Sequence, residues 1–192
     1  EFVRAQFEVV VEEGVRYFAT GLGIPDWVES EAHRHGITIL SLVGNVKGAR
    51  KVRERGADII VAQGHEAGGH TGRIGTMALV PQVVEAVHPT PVVAAGGIGD
   101  GRGVAAALAL GAQGAWVGTA FLSTSEAFID FIDVGYLDEP ATRHFRSRII
   151  AADAEDARIY RINTGKTARA LRNKFSDLWE KYDMPTLPMP LQ

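Results

Sequence analysis

Two histidines and four glycines crowd into one short stretch, Val61-Ala62-Gln63-Gly64-His65-Glu66-Ala67-Gly68-Gly69-His70-Thr71-Gly72. The apolar run before Gln63 predicts a strand, and the glycines after it let backbone pass close to a bulky planar ligand. Gln63, at the strand end, offers donors and acceptors to a heterocycle, and hydrogen bonds to a flavin ring would suit it. A glycine-rich turn with incidental surface histidines is the competing structural reading. A metal held by His65 and His70 fits less well, because their spacing needs a helix face and the glycines between them oppose a helix.

A second stretch, Val92-Val93-Ala94-Ala95-Gly96-Gly97-Ile98-Gly99-Asp100-Gly101-Arg102-Gly103, reads as strand, glycine turn and helix start. Unshielded amides at such a turn, with the helix N-terminal dipole behind them, make a phosphate site that needs no lysine. A third, Gly114-Ala115-Trp116-Val117-Gly118-Thr119-Ala120, ends a strand in Gly-Thr, where an amide and a hydroxyl can reach the same phosphate. The two turns are expected to be neighbours, since barrel enzymes often hold a phosphate between the loops after strands seven and eight. Tight helix–sheet packing is the alternative use of those glycines.

These loops must be positioned by the elements around them. Residues 15–19, 37–43, 58–62, 91–95 and 114–117 are short, β-branched or aromatic, and bounded by glycine, as buried parallel strands are. Helical patterns fill 26–35, 45–55, 80–87 and 103–110. Asp26 and Asn45 stand where N-caps are wanted, and Gly36, Gly56 and Gly111 where left-handed C-caps are wanted. Strand starts recur about every 20–23 residues apart from one interval of about 33, the spacing of single βα units with one enlarged loop. Glycine-rich loops over several strand ends favour a (β/α)8 barrel over a doubly wound sheet. Five units are visible where a closed barrel has eight, so 1–122 is expected to be the last five βα units of a TIM-type barrel whose front part lies elsewhere. An N-terminus without Met that reads as an interior cut agrees with that expectation. Residues 123–192 alternate charged and apolar positions and predict an appended helical region with a proline-rich extended tail at 184–190, packed on the barrel. Thr164-Gly165-Lys166-Thr167 resembles a fragment of a phosphate loop but lacks the earlier glycine and the preceding strand.

The composition bounds what such a unit can do. With 192 residues, 46% hydrophobic and 22% charged, and a net charge of -3, the chain has an ordinary globular balance, and no apolar run approaches the ~18–20 residues of a membrane span. A pI near 6.1 gives no global positive field for nucleic acid. Zero cysteines exclude thiol catalysis and disulfides and fit a reducing compartment, so a cytoplasmic protein is expected. Glycine makes up 22 of the 192 residues, about 11% against a usual ~7%, and its clusters fall at the strand ends.

The runs Ala62-Gln63-Gly64-His65-Glu66-Ala67-Gly68-Gly69-His70, Ala94-Ala95-Gly96-Gly97-Ile98 and Val117-Gly118-Thr119-Ala120-Phe121-Leu122 resemble the nitronate monooxygenase family, formerly called 2-nitropropane dioxygenases. Arg169-Ala170-Leu171-Arg172-Asn173-Lys174-Phe175 is similar to that family's C-terminal region. The resemblance covers nearly the whole chain. It implies non-covalently bound FMN, with Gln63 and Gly68 at the isoalloxazine or ribityl part. Gly96, Gly97, Gly118 and Thr119, with the backbone of Trp116 and Val117, would hold the phosphate. His70 matches the family's active-site histidine. The family's N-terminal segment has no counterpart here, so the missing barrel strands or a second copy are the expected partners.

The implied reaction oxidises an alkyl nitronate, or the nitroalkane it comes from, with oxygen to a carbonyl compound and nitrite. A histidine can take the acidic α-proton or anchor a preformed nitronate. FMN-dependent enoyl-acyl-carrier-protein reductases and NADH:quinone reductases resemble the same motifs and are the alternative. Inosine-monophosphate dehydrogenase relatives share a Gly-Gly-Ile turn but need a cysteine nucleophile. A non-catalytic fragment is the last alternative. Trp27, Trp116 and Trp179 are expected to be packing groups, Arg50, Lys51, Arg53 and Arg55 a solvated helix face, and His33, His35 and His88 surface residues.

Overall fold

The computed structural model describes residues 2–21, 25–127, 141–161 and 165–184. Helix α1 (Phe2–Glu12) leads into strand β1 (Tyr17–Thr20), and four further βα steps follow. These are α2 (Val28–Arg34), β2 (Thr38–Val43), α3 (Val46–Glu54), β3 (Ile59–Gln63), a two-residue strand β4 (Gly69–His70), α4 (Thr76–Val87), β5 (Val92–Ala95), α5 (Gly101–Ala109), β6 (Gly114–Trp116) and α6 (Thr119–Leu122). Strands β1, β2, β3, β5 and β6 pair in that order, all parallel, so every strand C-terminus lies at one edge of the sheet. This is the arrangement of five consecutive βα units of a (β/α)8 barrel.

Packing explains why these segments fold as they do. In β2 the alternate residues Ile39, Ser41 and Val43 are buried while Thr38, Leu40 and Leu42 are half-buried. Ile39, Val43, Ile60, Ala62, Val92 and Ala94 form one core with Val28 and Ala32 of α2, Ala49 and Val52 of α3, and Leu79, Val80, Val83 and Val87 of α4. Each fully buried Val or Leu of α4 contributes roughly 1.5–3 kcal/mol. The other face, with Leu40, Leu42, Ile59 and Val93 half-buried, is the one a closed barrel turns inward. The buried Thr20 hydroxyl donates to Ser41 Oγ at 3.0 Å, so the polar pair between β1 and β2 is satisfied.

The caps follow the expectation in part. Asn45 accepts from the Gly48 amide at 2.7 Å, and Gly36, Gly56 and Gly111 all have positive φ. Asp26 does not cap: Trp27 holds the N-cap position of α2 without a side-chain bond, and Asp26 lies 3.3 Å from Arg55 in an exposed ion pair. Helix α4 starts at Thr76, a turn earlier than expected, and carries Pro81 within it. Helix α1 was not expected. Its Phe7 is buried edge-on against Phe18 and Trp27, a tertiary contact that the β-branched run of Val9, Val10 and Val11 does not announce.

The region after residue 122, expected to be helical, is mixed. Helices α7 (Ala141–Ala151) and α8 (Lys174–Tyr182) flank an antiparallel hairpin, β7 (Ala157–Tyr160) and β8 (Ala168–Leu171). Strand β8 also pairs with β4, placing Gly69 opposite Arg169 and His70 opposite Ala168. That distant partner is what turns a charged-apolar alternation into strand, and no local pattern specifies it. The extended tail expected at 184–190 lies almost wholly outside the described residues. Among the described residues no helix is long and apolar enough to cross a membrane.

Candidate functional site

The glycine-rich loops all leave the same edge of the sheet. Gln63 ends β3 in register with Ala95, and Ala95 is in register with Trp116, so the turns at Gly96-Gly97 and at Val117-Gly118-Thr119 follow two directly paired residues. They are neighbours, as expected. Gly96 (φ 105°) and Gly97 (φ 72°) both adopt the left-handed conformation that favours glycine. A Cβ at Gly96 would stand 3.0 Å from the Ala67 amide nitrogen and 3.1 Å from the Gly64 carbonyl oxygen, so the loop after β3 lies directly against this turn.

The same loop touches the third turn. A Cβ at Gly68 would stand 2.8 Å from Thr119 Oγ1, which brings the segment carrying His70 to the start of α6. Gln63, Gly68, Gly96, Gly97, Trp116, Val117, Gly118 and Thr119 therefore share one end of three adjacent strands. Trp116 is partly exposed there. His70 lies two residues beyond Gly68, exposed, on β4, where the hairpin β7–β8 holds its backbone.

One part of the expected phosphate site is corrected. The N-terminus of α5 does not offer its amides, because Asp100 caps it, accepting from Arg102 N at 2.9 Å and Gly103 N at 3.4 Å. The Arg102 guanidinium and amide beside Asp100 hold its carboxyl at a pKa of about 2, so a negative charge already occupies that helix end. The amides of Gly97, Gly118 and Thr119 remain, and none donates to a carbonyl among the described residues. An anion with several oxygens satisfies such a set, while the places of the missing side chains at Gly68, Gly96 and Gly97 are taken by Thr119, by the loop after β3 and by Glu66, so these glycines let the three loops close on one another. The three amides are a donor set that fits the phosphate end of a cofactor such as FMN.

Sequence reasoning passed over the group that sets the loop's shape. Glu66 Oε2 accepts from the Thr76 amide at 2.9 Å and from Thr76 Oγ1 at 2.8 Å. The carboxylate thus caps α4 from ten residues away, where Gly75 has no side chain to do so. Burial opposes ionisation of Glu66, but the Thr76 amide and hydroxyl outweigh it and hold the carboxyl below its usual range. Thr76 Oγ1 also lies 3.0 Å from the Gly96 carbonyl, so this one side chain links the β3 loop, α4 and the phosphate turn. The only hint in the sequence was a carboxylate ten residues ahead of a helix that begins without a capping side chain.

At the opposite end of the strands, His33 Nε2 lies 2.9 Å from Asp58 Oδ2, which also accepts from the Ile39 amide at 2.7 Å. The hydrogen bond to Asp58 raises the His33 pKa against the opposing effect of burial, with Glu29 adding to the rise. His33 is half-exposed and belongs to the packing of α2 on the sheet.

The family description "Nitronate monooxygenase" matches residues 2–192. A Mycobacterium tuberculosis protein named as a monooxygenase is 46% identical over 188 residues, which is 96% of this chain and 47% of that protein. The structure of a nitroalkane oxidase from Streptomyces ansochromogenes superposes with a TM-score of 0.78 at 36% identity, covering 94% of this chain and 52% of the other. FabK from Thermotoga maritima gives 0.79 at 34% identity, covering 92% and 53%. The chain thus spans about half the length of the relatives it matches.

Proposed function

Because the chain belongs to the nitronate monooxygenase family, we propose that it carries the FMN site of an oxidoreductase that converts alkyl nitronates with oxygen to a carbonyl compound and nitrite. The observation that supports this most is the meeting of Gly68 with Thr119 beside the left-handed Gly96-Gly97 turn. In this reading residues 1–122 form the cofactor-binding unit, and residues 123–192 supply the hairpin that pins the His70 strand.

Bound FMN would supply the electron transfer and the reaction with oxygen. The amides of Gly97, Gly118 and Thr119 and the Thr119 hydroxyl would take the phosphate, and Gln63 would hydrogen-bond the ring or ribityl oxygens. His70 would take the α-proton of a neutral nitroalkane, or hold the anionic nitro group of a nitronate already formed. Its ring needs a fixed approach to do either, and the pairing of His70 with Ala168 fixes the backbone from which the ring projects.

The test is anaerobic reduction of the flavin-loaded chain. Bleaching by an alkyl nitronate, followed by nitrite release on admitting oxygen, is the expected result, and His70→Ala should slow turnover of neutral nitroalkane about 10²-fold or more. Bleaching by NADH with none by nitronate would place the protein among the reductases instead.

A further inference from the structure

Thr76 Oγ1 donates to the Gly96 carbonyl oxygen at 3.0 Å. The peptide that joins Gly96 to Gly97 is trans, so its carbonyl and its amide point in opposite directions across one plane. With the Gly96 carbonyl turned to Thr76, the Gly97 amide is directed away from α4 and from the loop after β3. Sheet order puts β6, and with it the Gly118-Thr119 turn, on that other flank of β5. Gly97 is exposed, and its amide donates to no carbonyl among the described residues. One hydroxyl thus sets which face of the turn offers a donor.

That hydroxyl is itself caged. A Cβ at Gly64 would fall on Thr76 Oγ1, and a Cβ at Gly96 would stand 3.0 Å from it, so two glycines leave it the room it occupies. Glu66 Oε2 lies 2.8 Å away on another side. A hydroxyl carries one proton, which the carboxylate and the Gly96 carbonyl share in a three-centre bond. The peptide it holds needs holding. Between two glycines a peptide turns over at little steric cost, because neither residue carries a Cβ to oppose the new dihedral angles. Turned over, it would show an anion a carbonyl oxygen in place of an amide, and attraction would become repulsion.

We propose that Thr76 is a positioning residue whose hydroxyl latches the Gly96-Gly97 peptide in the sense that presents the Gly97 amide to the cofactor's phosphate. The proposal rests on the flavin reading for the identity of that anion. Thr76 lies on the carbonyl side of the peptide and so acts through it, touching neither the phosphate nor the ring. Its effect is therefore confined to the preference for a phosphorylated flavin over an unphosphorylated one. A residue that only supported α4 would weaken both flavins alike.

Flavin titration of the full chain, followed by absorbance with FMN and with riboflavin, separates these cases. Thr76→Ala should lower FMN affinity roughly 10-fold, the loss expected when a carbonyl is left without its donor, and leave riboflavin affinity as it was. Thr76→Ser keeps the hydroxyl and should keep the preference. Val83→Ala loosens α4 in the core, away from the turn, so it should lower the thermal unfolding midpoint with the preference intact. One measurement needs no variant: with the glycine nitrogens isotope-labelled, the Gly97 amide proton of the wild-type chain should move downfield with FMN and hold its place with riboflavin. The latch is overturned if Thr76→Ala retains the wild-type preference or weakens both flavins equally, if Thr76→Ser loses the preference, or if the Gly97 amide responds alike to both flavins. A wild-type chain that binds the two flavins equally would overturn the phosphate reading and this proposal with it, whereas a wild-type preference that survives Thr76→Ala overturns the latch alone.

Discussion

Thr119 Oγ1 occupies the place that a side chain at Gly68 would need, 2.8 Å from where its Cβ would stand. This contact joins the loop after β3 to the start of α6 and makes one site out of two segments some fifty residues apart. Gly68→Ala must push the Thr119 hydroxyl aside. Losing a hydrogen bond to a charged group costs about 1.5–3 kcal/mol, so FMN affinity should fall at least ~10-fold. Flavin titration of the variant checks this, and the thermal unfolding midpoint should change little, because the displaced atom is the tip of a side chain.

Glu66→Gln should destabilise the fold by about 1–2 kcal/mol at neutral pH, since it weakens the cap of α4 and the link to the Gly96 turn. The sign of its pH dependence is fixed. The folded-state pKa of Glu66 is lowered, so its contribution is complete above the unfolded value and is lost as pH falls through the folded one. Urea unfolding at pH 7 should therefore separate wild type from variant, and the gap should close on acidification below the ordinary glutamate range.

The His33–Asp58 pair has the opposite sign. The folded-state pKa of His33 is raised, so its stabilisation is complete below the ordinary histidine value and is lost as pH rises through the raised one. Both partners are over a third exposed, which limits the effect to about 0.2–1 kcal/mol. Unfolding curves of His33→Gln between pH 5 and 9 should lack this decline, while flavin binding stays the same, because the pair lies at the far end of the strands.

Much of this was legible in the sequence because the signals were local. Short β-branched or aromatic runs bounded by glycine marked all five parallel strands, and the Gly96-Gly97 and Gly118-Thr119 turns could be placed together once their strands were adjacent. What escaped depends on distant partners. Phe7 draws α1 onto the sheet through Phe18 and Trp27, although the neighbouring valines favour strand. Ala168 and Arg169 become strand because β4 lies beside them. The Asp100 cap escaped although it is local: an aspartate after a glycine turn closes the helix end that the glycines alone would leave open for phosphate.

The claim that the Gly96-Gly97 and Gly118-Thr119 turns grip a phosphate is tested most directly by comparing FMN with riboflavin, which differs only by that group. FMN should bind at least ~100-fold more tightly, the worth of two charge-assisted hydrogen bonds, and Gly97→Val should remove most of the difference. Equal affinity for the two flavins, or an advantage for FMN that survives in Gly97→Val, would contradict it.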